Sequence, residues 1–236
     1  MKYVSLPPTT EERHLSFYLA MEEYLARCTD EPDLLFLWQV EPTVIFGRNQ
    51  QMENEVNVEY CQQHGIEMYR RKSGGGCVYA DRDNVMFSYI TKDEEVGLTF
   101  SRFLGMLQLV LRKMDIQSTS TSHNDLLIDG RKVSGAAFYH LPGRSIVHAT
   151  MLYDTNMDHM LNAITPARQK LEAKGIKSVR QRITLLKDHT ELSLDEFKQL
   201  ARQTLCTGEL KLAYDEVAAI KQLEHEYLRQ EFIMRM

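Results

Sequence analysis

An Asp129–Gly130 pair between two runs of β-forming residues is the feature that most restricts how this chain folds. The runs around it are LLID and KVSGAAFY. Asp-Gly favours the positive φ angles of a tight turn, so the pattern predicts two adjacent antiparallel strands. A second turn signal, LPGR at 141–144, leads into the run SIVHATMLYD and predicts another hairpin. We therefore expect an antiparallel sheet at the centre of the chain.

Further strands and helices are predicted on both sides of these hairpins. Strands are expected at 34–40, 43–47, 66–70, 77–80 and 84–90, the last three as a meander. Helices are expected at 10–27, 98–114, 156–173, 193–206 and 214–231, with another helix-like segment at 54–65. Capping-box spacing marks two helix starts, at Thr9 with Glu12 and at Ser193 with Glu196. Antiparallel strands interleaved with helices predict an α+β protein, and we interpret residues 1–236 as a single domain.

The charge balance argues against a nucleic-acid partner. The formal net charge is -5 and the sequence pI is about 5.9. A broad cationic surface for phosphate contacts is therefore not expected, and any anion site must be local. The best local cluster is Arg70-Arg71-Lys72, directly before three glycines.

The cysteines and the apolar segments indicate a cytoplasmic protein. The four cysteines are widely spaced and form no C-x-x-C pair, which favours neither a zinc knuckle nor a disulfide framework. The N-terminal segment has no apolar core for secretion, and the longest apolar stretch is too short to cross a bilayer. We expect neither a targeting segment nor a membrane partner.

The segment RRKSGGGCVYAD, residues 70–81, is a candidate ligand loop. Three consecutive glycines between two strands let backbone amides approach a ligand, and the arginines supply cationic groups for a phosphate or carboxylate. The spacing matches neither a Walker A loop nor G-x-G-x-x-G. A glycine-rich hairpin with solvated charges fits the composition equally well.

Lys132 is a candidate for a charged group in a site. It follows the Asp-Gly turn, and its neighbours Ser134, Gly135 and two alanines leave little bulk around an ammonium. A lysine on an exposed hairpin is nevertheless usually a solvated surface residue. The polar pair Asn124-Asp125, one strand earlier, would face the same side or form an Asx turn.

Other reactive residue types lack a diagnostic spacing. His148 alternates with apolar residues in a predicted strand, and Trp38 is the only tryptophan, so both are interpreted first as interior residues. No histidine forms H-E-x-x-H, and no serine stands in G-x-S-x-G. Zinc-hydrolase and serine-hydrolase functions therefore have no support.

Taken together, five blocks resemble the lipoate-protein ligase A family, within the wider biotin and lipoate ligase fold. In chain order they are TVIFGRNQQMENEVN, RRKSGGG, NDLLIDGRKVSGAAF, HATML and KGIKSVRQRITLL. The resemblance implies a mixed, mainly antiparallel sheet backed by helices, with the ligand lying across the sheet. The chain differs from the family at four positions. These are Ala80, where a histidine is usual, Cys77, where alanine is usual, Ala149, where glycine is usual, and His123.

The resemblance also implies roles for particular residues. The nucleotide-binding residues would be Arg71, Gly75, Gly76, Cys77, Val78, Tyr79, Asn84, Asp125 and Lys132. The lipoate-binding residues would be Trp38, Arg71, Ser73, Lys132, Ser134 and His148. Lys132 corresponds to the family's central catalytic lysine, which contacts the acyl carbonyl and the α-phosphate.

The function implied is ATP-dependent activation of lipoate as its adenylate, with Mg²⁺, followed by transfer to a lysine. The acceptor would be a lipoyl domain of a 2-oxoacid dehydrogenase complex or the glycine-cleavage H protein. Many family members carry a C-terminal accessory domain, which we expect to be absent here, so a separate accessory subunit is a further expected partner. An ATP-independent octanoyl or lipoyl transferase of the same fold, with a cysteine nucleophile, and a non-catalytic acyl-adenylate binding protein are the alternatives.

Overall fold

The computed structural model describes residues 1–92, 95–164 and 182–234 and contains two sheets in those ranges. The strands are β1 (Lys2–Ser5), β2 (Asp33–Trp38), β3 (Thr43–Phe46), β4 (Glu67–Arg70), β5 (Val78–Ala80), β6 (Asn84–Thr91), β7 (Thr119–Ser120), β8 (Asp125–Ile128), β9 (Arg131–Leu141), β10 (Arg144–Leu152) and β11 (Gly208–Lys211). Eight of them form a sheet in the order β11-β1-β2-β6-β10-β9-β8-β7, and three form a sheet in the order β4-β3-β5. The larger sheet is antiparallel except at its β11-β1-β2 edge. The predicted α+β class with a mixed, mainly antiparallel sheet is confirmed.

Helices cover both faces of the larger sheet. They are α1 (Leu15–Cys28), α2 (Met52–Glu55), α3 (Val58–Gln63), α4 (Val96–Arg112), α5 (Met157–Ala163), α6 (Leu194–Leu205), α7 (Tyr214–Leu228) and α8 (Gln230–Met234), with a 3₁₀ turn at Leu186–His189. α1 and α7 share one apolar core with one face of the sheet, and α4 and α6 share a second core with the other face. A third core joins the small sheet to α3 and α5. No helix in these ranges is long and apolar enough to cross a membrane.

The two predicted hairpins form as the turn residues require. Asp129 and Gly130 have φ angles of 49° and 73°, and Gly143 has a φ of 73°. Positive φ at these positions lets β8, β9 and β10 pair in succession. β10 is buried along its whole length between β9 and β6, so its side chains fix the centre of the sheet.

The predicted meander of 66–90 is wrong. β3 lies between β4 and β5, parallel to the first and antiparallel to the second, and β6 belongs to the larger sheet. The glycine loop therefore crosses over the end of β3 instead of closing a hairpin. The missing signal is the parallel pairing of β3 with β4, which residue preferences do not encode.

Several helix boundaries also differ from the prediction. α1 begins at Leu15, after an N-cap at His14, and the Thr9 hydroxyl accepts a hydrogen bond from the Glu11 amide instead of capping a helix. The helix-like segment 54–65 is interrupted by an N-cap at Asn57, while the Ser193 capping box is confirmed. Of the helix predicted at 156–173, residues 165–173 lie outside the described residues, as do residues 174–181 of the last family-like block.

Candidate active site

A cavity of about 480 Å³ is walled by strands of both sheets and by the glycine loop. The predicted site residues on its wall are Trp38, Arg71, Gly75, Gly76, Cys77, Val78, Tyr79, Asp125, Lys132 and His148. Sequence reasoning missed further wall residues, among them Leu19, Ile45, Met86, Thr150 and Ile183. These are ordinary interior residue types, so no local signal distinguishes them from core residues.

The floor of the cavity is a row of residues that stand opposite one another on five neighbouring strands. From β2 to β8 they are Trp38, Met86, Thr150, Gly135 and Asp125. Adjacent strands are about 4.8 Å apart, so this row spans roughly 19 Å. Its β2 end is apolar and aromatic, whereas its β8 end carries a carboxylate. A ligand lying across the sheet would therefore meet an apolar half and a charged half.

Lys132 reaches the charged end of this row because of a β-bulge. Leu126 faces Ser134 but the next residue, Leu127, faces Lys132, so Val133 is an extra residue on β9. The bulge breaks the normal alternation and places the Lys132 side chain on the face of Gly135. There the Lys132 Nζ atom lies 2.7 Å from Asp125 Oδ1, and both side chains remain partly exposed to the cavity.

The same bulge turns Ser134, one of the predicted lipoate-binding residues, away from the cavity. Ser134 is fully buried and stands opposite Leu126 and Met151, in the core beneath α4. Its hydroxyl has no hydrogen-bond partner among the described residues. It therefore does not reach the cavity from its place on β9.

Arg71 shapes the glycine loop from inside. Its guanidinium donates to the carbonyls of Gly74 at 2.7 Å, Gly76 at 2.7 Å and Ile45 at 3.1 Å. Burial lowers the pKa of Arg71 to about 10, which still leaves the group cationic at neutral pH. Because these three acceptors are neutral carbonyls, the positive charge stays available to attract an anion at the cavity wall.

The loop also depends on Gly47, which sequence reasoning did not select. Gly75 has a φ of +90°, and its carbonyl oxygen lies 2.2 Å from where a Cβ atom of residue 47 would stand. Any side chain at 47 would collide with this backbone. The sequence signal that could have identified Gly47 is its position directly after the β-run TVIF, within the family-like block TVIFGRNQ.

A chain of hydrogen bonds runs behind the apolar end of the cavity. Trp38 Nε1 donates to Ser88 Oγ at 2.8 Å, and Ser88 donates to Glu22. The Glu22 carboxylate is 3.0 Å from His148 Nδ1, and His148 Nε2 is 2.7 Å from Ser73 Oγ. The ring nitrogens of Trp38 and His148 thus have hydrogen-bond partners within this chain, so the cavity meets mainly the apolar faces of the two rings.

A family model described as the lipoyl protein ligase A/B catalytic domain matches residues 14–206 of the chain. The chain belongs to this family. It is 34% identical over 219 residues to the lipoate-protein ligase LplJ of Bacillus subtilis (strain 168), covering 88% of this chain. The chain spans 66% of the length of that relative.

Solved structures of lipoate-protein ligases have the same fold. A bi-partite lipoate protein ligase from Thermoplasma acidophilum, described together with its E2 lipoyl domain, superposes with a TM-score of 0.86 at 25% identity. That match covers 99% of this chain and 95% of the other. A lipoate-protein ligase A bound with ATP gives a TM-score of 0.84 at 23% identity, covering 99% and 98% of the two chains.

Two residues with roles implied by the family resemblance lie behind the cavity wall. Asn84 is fully buried, donates to the Tyr79 carbonyl at 3.2 Å and accepts a hydrogen bond from Thr155. Ser73 is buried against His148. Neither lines the cavity, and each instead holds a residue that does. In this structure Asn84 and Ser73 thus support wall residues, and their predicted contacts with a ligand stay predictions.

Arg70 and Lys72 do not form the anion cluster that the sequence suggested. Arg70 donates to the carbonyl of Gly47, which follows β3, and to that of Ile233 on α8. Lys72 bonds to Glu23 on α1. Of the three consecutive cations, Arg71 alone lies on the cavity wall.

The family resemblance implies Mg²⁺, and the described cavity residues would fit a metal held largely by a bound nucleotide. No group of three or more His, Cys, Asp or Glu side chains within the described ranges is placed to hold a metal ion. Asp125 is the only carboxylate among the described cavity residues, and it pairs with Lys132. Mg²⁺ commonly takes one or two carboxylates and otherwise phosphate oxygens and water, which agrees with this arrangement.

Proposed function

We propose that this protein is an ATP-dependent lipoate-protein ligase, which forms lipoyl-adenylate and transfers the lipoyl group to a lysine of an acceptor protein. The observation that carries the proposal is the row from Trp38 to Asp125, apolar at one end and charged at the other. Lipoate has the same polarity, since an apolar ring and chain end in a carboxylate. The names of the relatives, and the ATP bound to one similar structure, agree with it.

The first step requires charge stabilisation near the glycine loop. A lipoate carboxylate oxygen forms a bond to the α-phosphorus of ATP, and the bond to pyrophosphate breaks. Arg71 and Lys132 are the lysine and arginine side chains among the described wall residues, and they offset the negative charge shared by the carboxylate and the phosphate. Mg²⁺, when bound, offsets charge on the pyrophosphate. Catalysis here is largely positioning plus electrostatic stabilisation.

The second step uses the same lysine. The acceptor amine attacks the carbonyl of the mixed anhydride, the bond to AMP breaks, and the amine loses a proton to solvent. A cation at Lys132 stabilises the negative charge that develops on the carbonyl oxygen. Without a ligand, Asp125 Oδ1 pairs with the Lys132 ammonium at 2.7 Å. A ligand carboxylate or phosphate competes with Asp125 for that ammonium.

Cys77 argues against the transferase alternative. Burial raises the pKa of the Cys77 thiol to about 12, although the nearby charge of Arg71 opposes this effect. A nucleophilic cysteine needs a depressed pKa. Cys77 is also the only thiol among the described cavity residues, so the site offers no activated nucleophile there.

The expected acceptor is a lipoyl domain of a 2-oxoacid dehydrogenase or the glycine-cleavage H protein. The similar T. acidophilum ligase is described with an E2 lipoyl domain and as bi-partite, which supports this acceptor and a separate accessory subunit. All four cysteines are free thiols, in keeping with action in a reducing cytoplasm.

The direct test is modification of an acceptor. We would incubate the chain with lipoate, ATP and a lipoyl domain, with and without an accessory subunit from a bi-partite system. The mass of the lipoyl domain is then measured by mass spectrometry. We expect a mass gain of one lipoyl group that requires ATP. The same domain with its acceptor lysine replaced by arginine is the control. ATP-independent transfer from octanoyl acyl carrier protein would contradict the proposal.

A further inference from the structure

Helix α1 buries two consecutive carboxylates, Glu22 and Glu23. Their exposed fractions are 3% and 1%, and neither lines the cavity. Burying one carboxylate costs free energy unless it is paired and hydrogen-bonded, and two adjacent ones repel each other as well. The partners of this pair therefore indicate what the pair is for.

Glu23 holds the residue at the entrance of the glycine loop. Its carboxylate accepts a hydrogen bond from Lys72 Nζ at 2.6 Å and another from the Tyr227 hydroxyl on α7 at 2.8 Å. Arg27 donates to the same carboxylate at 2.6 Å, from one turn further along α1. Lys72 is flanked by Arg71 and Ser73, so its side chain fixes the loop just where it leaves β4.

Glu22 holds the next loop residue through one intermediary. The Glu22 carboxylate lies 3.0 Å from His148 Nδ1, and His148 Nε2 lies 2.7 Å from the Ser73 hydroxyl. The Ser73 carbonyl in turn accepts from the Arg48 amide at 2.9 Å. Consecutive residues on a helix point about 100° apart, which is why two neighbouring carboxylates reach two different partners.

We propose that Glu22 and Glu23 are positioning residues that clamp the start of the glycine loop, through Ser73 and Lys72, in its nucleotide-binding shape. Arg71 ties down the other part of the loop at Gly74 and Gly76. The backbone between these anchors then has little freedom. This inference rests on the proposed function, because it assigns the loop to ATP.

Glu23→Gln tests the clamp, because glutamine keeps the volume and removes the buried one of the two carboxylate charges that pair with Lys72, the other being the more exposed Glu226. Arg27→Gln is the matched control, since Arg27 bonds to the same carboxylate but does not touch the loop. We expect the Kd of ATP, measured by calorimetry, to rise about tenfold in Glu23→Gln and to stay within about twofold in Arg27→Gln. The Kd of lipoate should be unchanged in both, whereas a general loss of structure would weaken both ligands.

A double-mutant cycle identifies the route. Lys72→Met should weaken ATP binding as Glu23→Gln does, and the double variant should be no weaker than the more affected single variant. Glu22→Gln should weaken ATP binding as well, and an unchanged Kd of ATP in this variant would remove Glu22 from the clamp. Because His148 also lines the cavity, the comparison with the Kd of lipoate is made for Glu23→Gln.

Three outcomes are informative. Unchanged ATP affinity in Glu23→Gln and Lys72→Met, with lipoate-dependent ATP turnover by the unmodified chain, would overturn the clamp and leave the ligase proposal intact. Equal loss of ATP and lipoate affinity in Glu23→Gln would also overturn the clamp, since it would show a merely structural role. Absence of ATP binding by the unmodified chain, both alone and with an accessory subunit, would overturn both proposals.

Discussion

The ammonium group of Lys132 occupies the space that a side chain at Gly135 would need. A Cβ atom on residue 135 would lie 2.7 Å from Lys132 Nζ, 2.9 Å from Lys132 Cε and 3.2 Å from Asp125 Oδ1. Contacts this short force a neighbour to move, and the flexible lysine moves most easily. Gly135 therefore keeps room for the Lys132–Asp125 pair on the cavity floor.

Replacing Gly135 with alanine should displace Lys132 while leaving the fold intact. A catalytic group moved by about 1 Å can lose roughly 100-fold in rate, and we expect a loss of that order in kcat/KM for adenylation. Gly105→Ala in α4 is the control, because its added Cβ meets nothing within 4 Å. Normal kinetics in a folded Gly135→Ala variant would show that the position of Lys132 is not critical.

Gly47 and Gly74 make a second matched pair in the glycine-loop region. Gly47→Ala would place a Cβ atom 2.2 Å from the Gly75 carbonyl oxygen, so the loop must shift, whereas Gly74→Ala meets no atom within 4 Å. We expect the KM for ATP to rise about tenfold or more in Gly47→Ala and much less in Gly74→Ala. Steady-state kinetics at saturating lipoate measure both. A larger rise in the KM for ATP in Gly74→Ala than in Gly47→Ala would show that Gly47 does not shape the loop.

Ser134→Ala should stabilise the protein without affecting ligand binding. The buried Ser134 hydroxyl has no partner among the described residues, and such a group costs about 1 kcal/mol or more. In a chain of this size that gain corresponds to roughly 2–4 °C in Tm. Thermal unfolding and the KM for lipoate are both measured. A large rise in the KM for lipoate would show that Ser134 contributes to the acyl pocket.

Cys77 should be dispensable and unreactive. With its pKa raised by burial to about 12, the Cys77 thiol is almost entirely protonated at pH 8. Burial also raises the pKa of Cys61 and of Cys206 to about 11, whereas Cys28 is exposed. Iodoacetamide at pH 8 should therefore label Cys28 first, as peptide mapping would show.

The Cys77→Ala variant completes that test. It should retain most ligase activity, because a small side chain suffices at this point of the loop. Octanoyl acyl carrier protein should leave no hydroxylamine-sensitive acyl group on the protein. A thioester on Cys77, together with lost turnover in the alanine variant, would favour the transferase instead.

Features fixed by local chemistry could be predicted from the sequence. Positive φ at Gly130 and Gly143 defines two hairpins, and the Ser193 capping box starts α6. The family-like blocks selected Lys132 and Arg71, both of which line the cavity. In each of these cases the information lies within a few neighbouring residues.

Features that depend on pairing between distant segments could not be predicted from the sequence. The parallel strands β1 and β11 are short, and they acquire their place only by pairing with each other and with β2. The bulge at Val133 decides that Lys132 faces the cavity and Ser134 does not, and alternation alone predicts the same face for both. Glu22 and Glu23 occur in a helix whose sequence gives no sign that they are buried.

Lys132 should be required for both steps of the reaction. Lys132→Ala removes the charge at the phosphate but little core packing, since the side chain is 41% exposed. Lys132→Arg should also fail, because a wide planar guanidinium does not replace a compact ammonium next to Gly135. ATP–pyrophosphate exchange measures the adenylation step. The transfer step is measured separately, by supplying preformed lipoyl-adenylate. Near-normal rates in either variant would reject the site assignment.

The ligase proposal is tested most directly by lipoate-dependent ATP–pyrophosphate exchange with the unmodified chain, measured across a panel of carboxylic acids with and without an accessory subunit. We predict that labelled pyrophosphate enters ATP only when lipoate or a similar medium-chain acid is present, and that Lys132→Ala abolishes the exchange. If every acid fails to promote exchange under both conditions, while the folded protein still moves an acyl group from acyl carrier protein, the chain is not an ATP-dependent ligase.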